Sequence, residues 1–224
     1  MDIVLYLAFG FIDVIAILAV IFRFFRFPIR MFIREFVIIG AVLTLSSFVV
    51  RKVLNLSELD LGIQFILYVL FFRYFIKIKI FDSFLLASIG YLSFSVIQLI
   101  IYNSLLFVGV VTDLDVQSTS NIGTYLIQVV TQVVSFLFAW LLYRKNLGFS
   151  FILCPPDDVQ IKVKIKGINL IIYLGILASI TTLFLTPYLL FNYLSWMHVL
   201  ILGLIIMLCL LYYATNRKDI ADVW

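Results

Sequence analysis

The chain of 224 residues is 65% hydrophobic and 12% charged, carries 16 Lys and Arg against 12 Asp and Glu, and has a mean hydropathy of +1.20. A soluble domain averages about 45–50% apolar and about 25% charged residues, so the composition points to an integral membrane protein and excludes disorder and a fibrous fold. The net charge of +4 does not indicate nucleic-acid binding, because the basic residues sit beside hydrophobic spans, where they set topology.

A membrane-spanning α-helix needs about 20 mostly apolar residues. Seven segments qualify: Ile3–Phe22, Ile33–Val50, Leu59–Phe75, Ile80–Tyr102, Thr124–Tyr143, Ile168–Thr186 and Leu194–Tyr213. The third is the shortest. Their apolar runs are continuous rather than alternating and too long for tilted strands, which argues against a β-barrel. Met1-Asp2 offers no basic n-region, so the first span is expected to persist rather than be cleaved as a signal peptide. There is no internal repeat at fixed period and no low-complexity linker. The expectation is an all-α integral membrane protein, a single domain built as a bundle of seven transmembrane helices.

The loops orient it. Arg23, Arg26, Arg30 and Arg34 follow the first span, and Arg51 and Lys52 follow the second, beside Glu58 and Asp60. The third ends in a turn with Arg73, Lys77 and Lys79. A cation at the bilayer centre costs roughly 2.5–3.5 kcal/mol, so these three belong at a membrane face. Asn103–Gly123 after the fourth span has Asp113 and Asp115 but no Lys or Arg. Arg144, Lys145, Lys162, Lys164 and Lys166 follow the fifth, Pro187–Tyr193 after the sixth is uncharged, and Arg217 and Lys218 follow the seventh. Alternating the loops puts every basic residue inside except Arg51 and Lys52. The predicted orientation is N-terminus outside and C-terminus cytoplasmic.

Two inner segments stand out. Arg23, Arg26, Arg30 and Arg34 recur at helical spacing with Phe22, Phe24, Phe25, Phe27, Phe32 and Phe36 between them. Such a stretch can lie in the interface, guanidinium heads towards anionic lipid and rings in the acyl boundary, although Pro28 should bend or break it. Ordinary snorkelling anchors at two helix ends are the plainer reading. In Arg144–Lys166, a Cys154-Pro155-Pro156-Asp157-Asp158 turn precedes the alternating Ile161-Lys162-Val163-Lys164-Ile165-Lys166, which is read as a basic approach to the sixth span along anionic headgroups.

No phosphate-binding glycine loop, nucleophile elbow or zinc-protease motif is present, and two cysteines with one histidine make no recognisable metal site. Cys154 on the inside and His198 near the outside cannot meet as nucleophile and base. The chain is therefore expected to be no enzyme and to need no cofactor. Asp13, near the middle of the first span, is either a functional carboxylate or a neutral carboxyl hydrogen-bonded to a neighbouring helix. Gln64, Gln98, Gln128, Gln132 and His198 all fall in the outer halves of their spans, and Gln128 and Gln132 share one helix face. Amides gathered at one depth suggest an outward-facing pocket, against the plainer alternative of interhelical hydrogen bonds worth about 0.6 kcal/mol each. The acidic loop Asn103–Gly123 either lids that pocket or only connects two helices.

The run Phe75-Ile76-Lys77-Ile78-Lys79, its place after the third span, the N-out layout and the Pro-containing basic loop from Cys154-Pro155-Pro156 to Lys166-Gly167 resemble the membrane sensor region of peptide-pheromone receptor histidine kinases of the accessory gene regulator type. The likeness extends over essentially the whole chain and rests on layout and a few short runs. It implies a dimeric receptor for a short, usually cyclic, extracellular peptide. In that family the last span continues into a kinase domain, whereas this sequence ends at Trp224. The resemblance thus implies either a sensor acting through a separate partner such as a histidine kinase, or a fragment, and it carries over no catalytic residue. The expected function is a quorum-sensing-type receptor, with a homodimer, an extracellular peptide or small amphiphile, and anionic lipid at Arg23, Arg26, Arg30 and Arg34 as partners. The rivals are a small-solute transporter or substrate-binding subunit with Asp13 as its key carboxylate, and a structural or immunity-type membrane protein in which every polar residue serves packing.

Overall fold

The computed structural model describes residues 2–112, 121–152, 154–155, 167–192 and 197–223, and among them every regular element is helical. The helices are α1 (Asp2–Phe24), α2 (Ile33–Phe48), α3 (Ser57–Tyr74), α4 (Ile80–Phe107), α5 (Ile122–Arg144), α6 (Ile168–Asn192) and α7 (Met197–Val223). A 3-10 turn, Ile29–Phe32, leads into α2, and a π turn, Val49–Val53, ends it.

Helix α4 is the hub. It packs against α1, α3, α5, α6 and α7, and 72% of its most apolar stretch is buried, against 22–39% for the other long apolar helices. A helix that is apolar all round belongs in a core, and small residues let its neighbours approach. At Gly90 a Cβ would lie 2.2 Å from Ile21 Cγ1, so α1 closes on α4 only because no side chain stands there. The outer helices instead turn apolar residues outward, among them Val37, Val42, Leu137, Leu174, Leu202 and Ile206. So much exposed apolar surface on a folded bundle suits lipid and not water.

Six helices are long and apolar enough to cross a membrane, which makes this a multi-pass membrane protein by length and composition. Helix α3, with 18 residues including Glu58, Asp60 and Arg73, falls outside that set. It connects α2 to α4 and packs against α2, α4 and α6.

Contacts define two ends. At one, the backbone N–H of Phe149 donates to Phe24 O (2.7 Å), Arg26 donates to Asn146 O (3.0 Å), and Lys218 lies over the rings of Phe81 and Phe151. These contacts gather the C-terminal ends of α1, α5 and α7 with the N-terminal end of α4, and with them most of the basic residues. The opposite end carries the N-terminus, the α2–α3 connection and the start of α5.

In the α1–α2 stretch the chain breaks at Pro28, as expected, and forms two helix ends rather than one interfacial helix. Helix α1 stops at Phe24, Arg26 takes φ +52 beyond it, and Phe27 N–H reaches back to Phe22 O (2.8 Å). This is a left-handed helix stop, and Pro28 prevents a restart before the 3-10 turn. Phe24, Phe25 and Phe27 are buried rather than turned to acyl chains. Phe24 and Phe25 pack on Phe149, a residue of the α5–α6 connection, because burying rings against one another inside the bundle satisfies more of their surface than one lipid-facing side would. The wedge depends on Gly148, which has φ +143 and whose Cβ would lie 2.7 Å from Phe24 O and 2.8 Å from Arg23 O.

Helix ends also differ from expectation. Helix α6 continues through Pro187 to Asn192, where a loop from Pro187 was expected. Proline is tolerated inside the helices of membrane bundles, and in the turns before Pro187 the hydroxyls of Thr182 and Thr186 bond to the carbonyls of Ala178 and Thr182. Helix α4 runs to Phe107, five residues past the expected end at Tyr102, and α7 runs to Val223, well past Tyr213. The expected approach segment Ile161–Lys166 lies outside the described residues, as do Asp113 and Asp115.

Candidate functional site

In the half of the bundle that carries the N-terminus, five helices enclose a cavity of about 130 Å³. Two polar networks form its walls. The first centres on Asp60, in the first turn of α3 and without exposed surface. A carboxylate there is favoured by the helix N-terminus. Arg51 Nε donates to Asp60 Oδ2 at 2.5 Å, Ser47 Oγ at 3.0 Å, and Gln64 Nε2 to both carboxylate oxygens at 3.1 and 3.2 Å. Behind these, Tyr91 donates to Gln64 Oε1 (3.1 Å), and Tyr6 bonds Ser47 Oγ (3.1 Å). Since the Ser47 hydroxyl is committed to Asp60, Tyr6 is the donor of that pair. The network saturates Asp60, and the charge of Arg51 is taken up across the α2–α3 connection. Arg51 lies in the π turn Val49–Val53, and such turns recur at functional sites.

The second network centres on Asp13. Gln132 Nε2 donates to Asp13 Oδ1 (3.1 Å) and to Phe9 O (3.0 Å), and Gln128 Nε2 approaches Asp13 Oδ2 at 3.4 Å. The spacing of four residues puts both amides of α5 on one face, opposite α1. Eleven residues after Asp2, at 1.5 Å per residue, Asp13 sits about 16 Å along α1, near mid-depth of a hydrocarbon core about 30 Å thick.

The networks leave acceptors unused. Gln128 Oε1 and Thr44 Oγ are buried with no hydrogen-bond partner among the described residues, and both residues line the cavity beside Asp13. Buried polar atoms are ordinarily paired, and unpaired ones that share a cavity call for water, an ion or a ligand group. At about 130 Å³ the space is smaller than the roughly 300–1,000 Å³ of a small-molecule pocket. It holds one functional group, or a few waters.

The structure thus brings together Asp13, Gln64, Gln98 and Gln128 as cavity lining, with Gln132 immediately behind on Asp13. It does not bring in His198, which is exposed on the first turn of α7. Tyr6, Thr44, Ser47, Arg51, Asp60 and Tyr91 are site residues that reasoning from single spans misses. The available signal was Arg51 and Asp60 with opposite charges on either side of one short connection. Of the arginines expected at lipid, Arg23, Arg26 and Arg30 line a second cavity at the basic end, whereas Arg34 is exposed on α2 outside it.

What the first cavity offers is binding. Acceptors from α1, α2 and α5 face one small space. The fold and this site define a polytopic helical membrane protein with a polar intramembrane cavity. No protein-family model, no curated protein and no solved structure matches the chain.

Proposed function

We propose that this protein is a non-enzymatic receptor of a bacterial plasma membrane, in which the cavity between α1, α2 and α5 takes a single donor-bearing group of a peptide arriving from outside. The observation that carries this is the pair of unpartnered buried acceptors, Gln128 Oε1 and Thr44 Oγ, beside Asp13 in one cavity. An ammonium, guanidinium or hydroxyl group supplies what they lack. The volume suits one anchoring group, with the rest of the peptide lying on the surface outside. Helix α3 is the seventh span in this proposal, since Arg51 offsets the charge of Asp60 and the chain must return between α2 and α4. The cavity end faces outward because the basic end is the one retained in the cytoplasm.

The far end supports a signalling role. Asp219 of α7 accepts from the backbone N–H groups of Ser150 and Phe151 (2.7 and 2.8 Å) and from Ser150 Oγ (3.1 Å). Asp219 thus ties the end of α7 to Ser150 and Phe151 just beyond α5, and a ligand that shifts α5 against α1 alters what this tied end presents to a cytoplasmic partner such as a kinase. The test is titration of short peptides carrying one free amine, by thermal unfolding of the protein in nanodiscs. Wild type is stabilised by a binding peptide, and the Gln128→Leu/Gln132→Leu variant, still folded, is not. Stabilisation that is equal in both removes the cavity from the proposal.

One observation favours a second reading, a small-solute transporter. Among the described residues the side-chain partners of Asp13 are neutral glutamine amides, which leave its charge available to a transported cation or proton. Solute flux into proteoliposomes that Asp13→Asn abolishes favours this reading over the receptor.

A further inference from the structure

We propose that the groove between the α1–α2 connection and the end of α5 is a binding site for the phosphate of an anionic membrane lipid, held by Arg23, Arg26 and Arg30. The groove encloses about 470 Å³, within the range of small-ligand sites, and among the described residues no carboxylate lines it. Among the described residues none of the three arginines takes part in an ion pair, Arg51–Asp60 being the salt bridge found there.

Two of the three guanidinium groups are held in place before any anion arrives. Arg26 spends one N–H on Asn146 O (3.0 Å), and Arg23 lies over the Tyr143 ring at 4.2 Å. A guanidinium has five N–H donors, so four remain on Arg26. The backbone fixes these positions. Arg26 and Asn146 both take left-handed φ, +52 and +53, as the stop residues of α1 and α5. Leu147 N–H returns to Leu142 O (3.0 Å) just as Phe27 N–H returns to Phe22 O. The two helix C-termini bring about half a negative charge each, which leaves the groove strongly positive against three cations.

Placement decides between lipid and free phosphate. The site lies where two long apolar helices end, and Leu142 and Leu147 line it beside the arginines. A headgroup phosphate with its glycerol carbons matches that mixture, and basic pockets between spans are where anionic headgroups bind. The inference does not depend on the outer cavity having a ligand.

The test uses the full chain in detergent micelles and counts retained lipid by native mass spectrometry. Wild type retains phosphatidylglycerol over phosphatidylcholine at least tenfold. Arg26→Gly/Arg30→Gln loses that preference, and glycine accepts the left-handed backbone at position 26, so its fold is kept. Arg30→Gln alone, on the exposed 3-10 turn, lowers the preference several-fold. Arg34→Gln, outside the groove, leaves it unchanged. Equal retention of the two lipids by wild type, or a preference that survives both groove variants, overturns the proposal. Displacement of phosphatidylglycerol by an equal concentration of inorganic phosphate overturns its lipid part and assigns the site to a free anion.

Discussion

Replacing Arg51 by Met removes a guanidinium whose side chain is 35% exposed and strands a carboxylate that is 1% exposed. Ser47 and Gln64 remain as neutral donors to Asp60, but neither offsets its charge. Removing one member of a buried pair costs about 3–5 kcal/mol, because an uncompensated charge stays behind. Asp60→Asn is milder. The guanidinium it leaves unpaired still reaches outside through its open third, and the asparagine keeps most of the side chain's shape. Its expected cost is about 2 kcal/mol, in the range of a lost charged hydrogen bond. The double variant carries no stranded charge, so Arg51→Met/Asp60→Asn is expected to be more stable than Arg51→Met alone. Unfolding midpoints of the purified protein in micelles, titrated with denaturing detergent, give this order. A double variant that is less stable than Arg51→Met, or costs that simply add to within about 0.5 kcal/mol, would refute the pairing as the organiser of the α2–α3 corner.

Gly148→Ala forces a methyl group against Phe24 O and Arg23 O at 2.7–2.8 Å and is expected to lower stability by about 1–3 kcal/mol, seen as a lower unfolding temperature. Ser135→Ala and Ser88→Ala remove buried hydroxyls that have no hydrogen-bond partner among the described residues; each should leave stability unchanged or raise it by up to about 1 kcal/mol, and a fall in stability of more than about 1 kcal/mol would contradict this. Asp219→Ala frees Ser150 and Phe151 from α7 and should speed limited proteolysis of the α5–α6 connection several-fold while leaving the opposite end's accessibility unchanged.

The helical membrane class and the rough positions of six long apolar helices follow from apolar run length, since the bilayer imposes one length on a span, whereas α3, with Glu58, Asp60 and Arg73, falls outside that set. Helix ends followed less well. Apolar content does not report where a helix outlasts the membrane, so the extension of α7 to Val223 and the passage of α6 through Pro187 were not legible. Phe24, Phe25 and Phe27 misled for a related reason: a ring beside an arginine reads as interfacial, and only the arrival of Phe149 from 125 residues away makes it core. In the site, Asp13, Gln64, Gln98, Gln128 and Gln132 are visible in the sequence because polar side chains in spans are few. Asp60 was hidden among the charges of a connection, and Thr44 and Ser47 among residues that more often bond their own helix. Which polar groups meet depends on the rotation of each helix about its axis, and apolarity that is nearly uniform round a helix, as in α4, gives no signal of that rotation.

The most direct test of the account is thiol labelling at the cavity wall in intact cells. Cys154 and Cys209, both free and exposed, are replaced by Ser, and Thr44→Cys places one thiol beside Asp13. The account predicts modification from outside by an impermeant cationic methanethiosulfonate, faster than by its anionic counterpart, with the difference abolished by adding Asp13→Asn. A thiol at position 44 that reacts only after the membrane is permeabilised contradicts the outward-facing site.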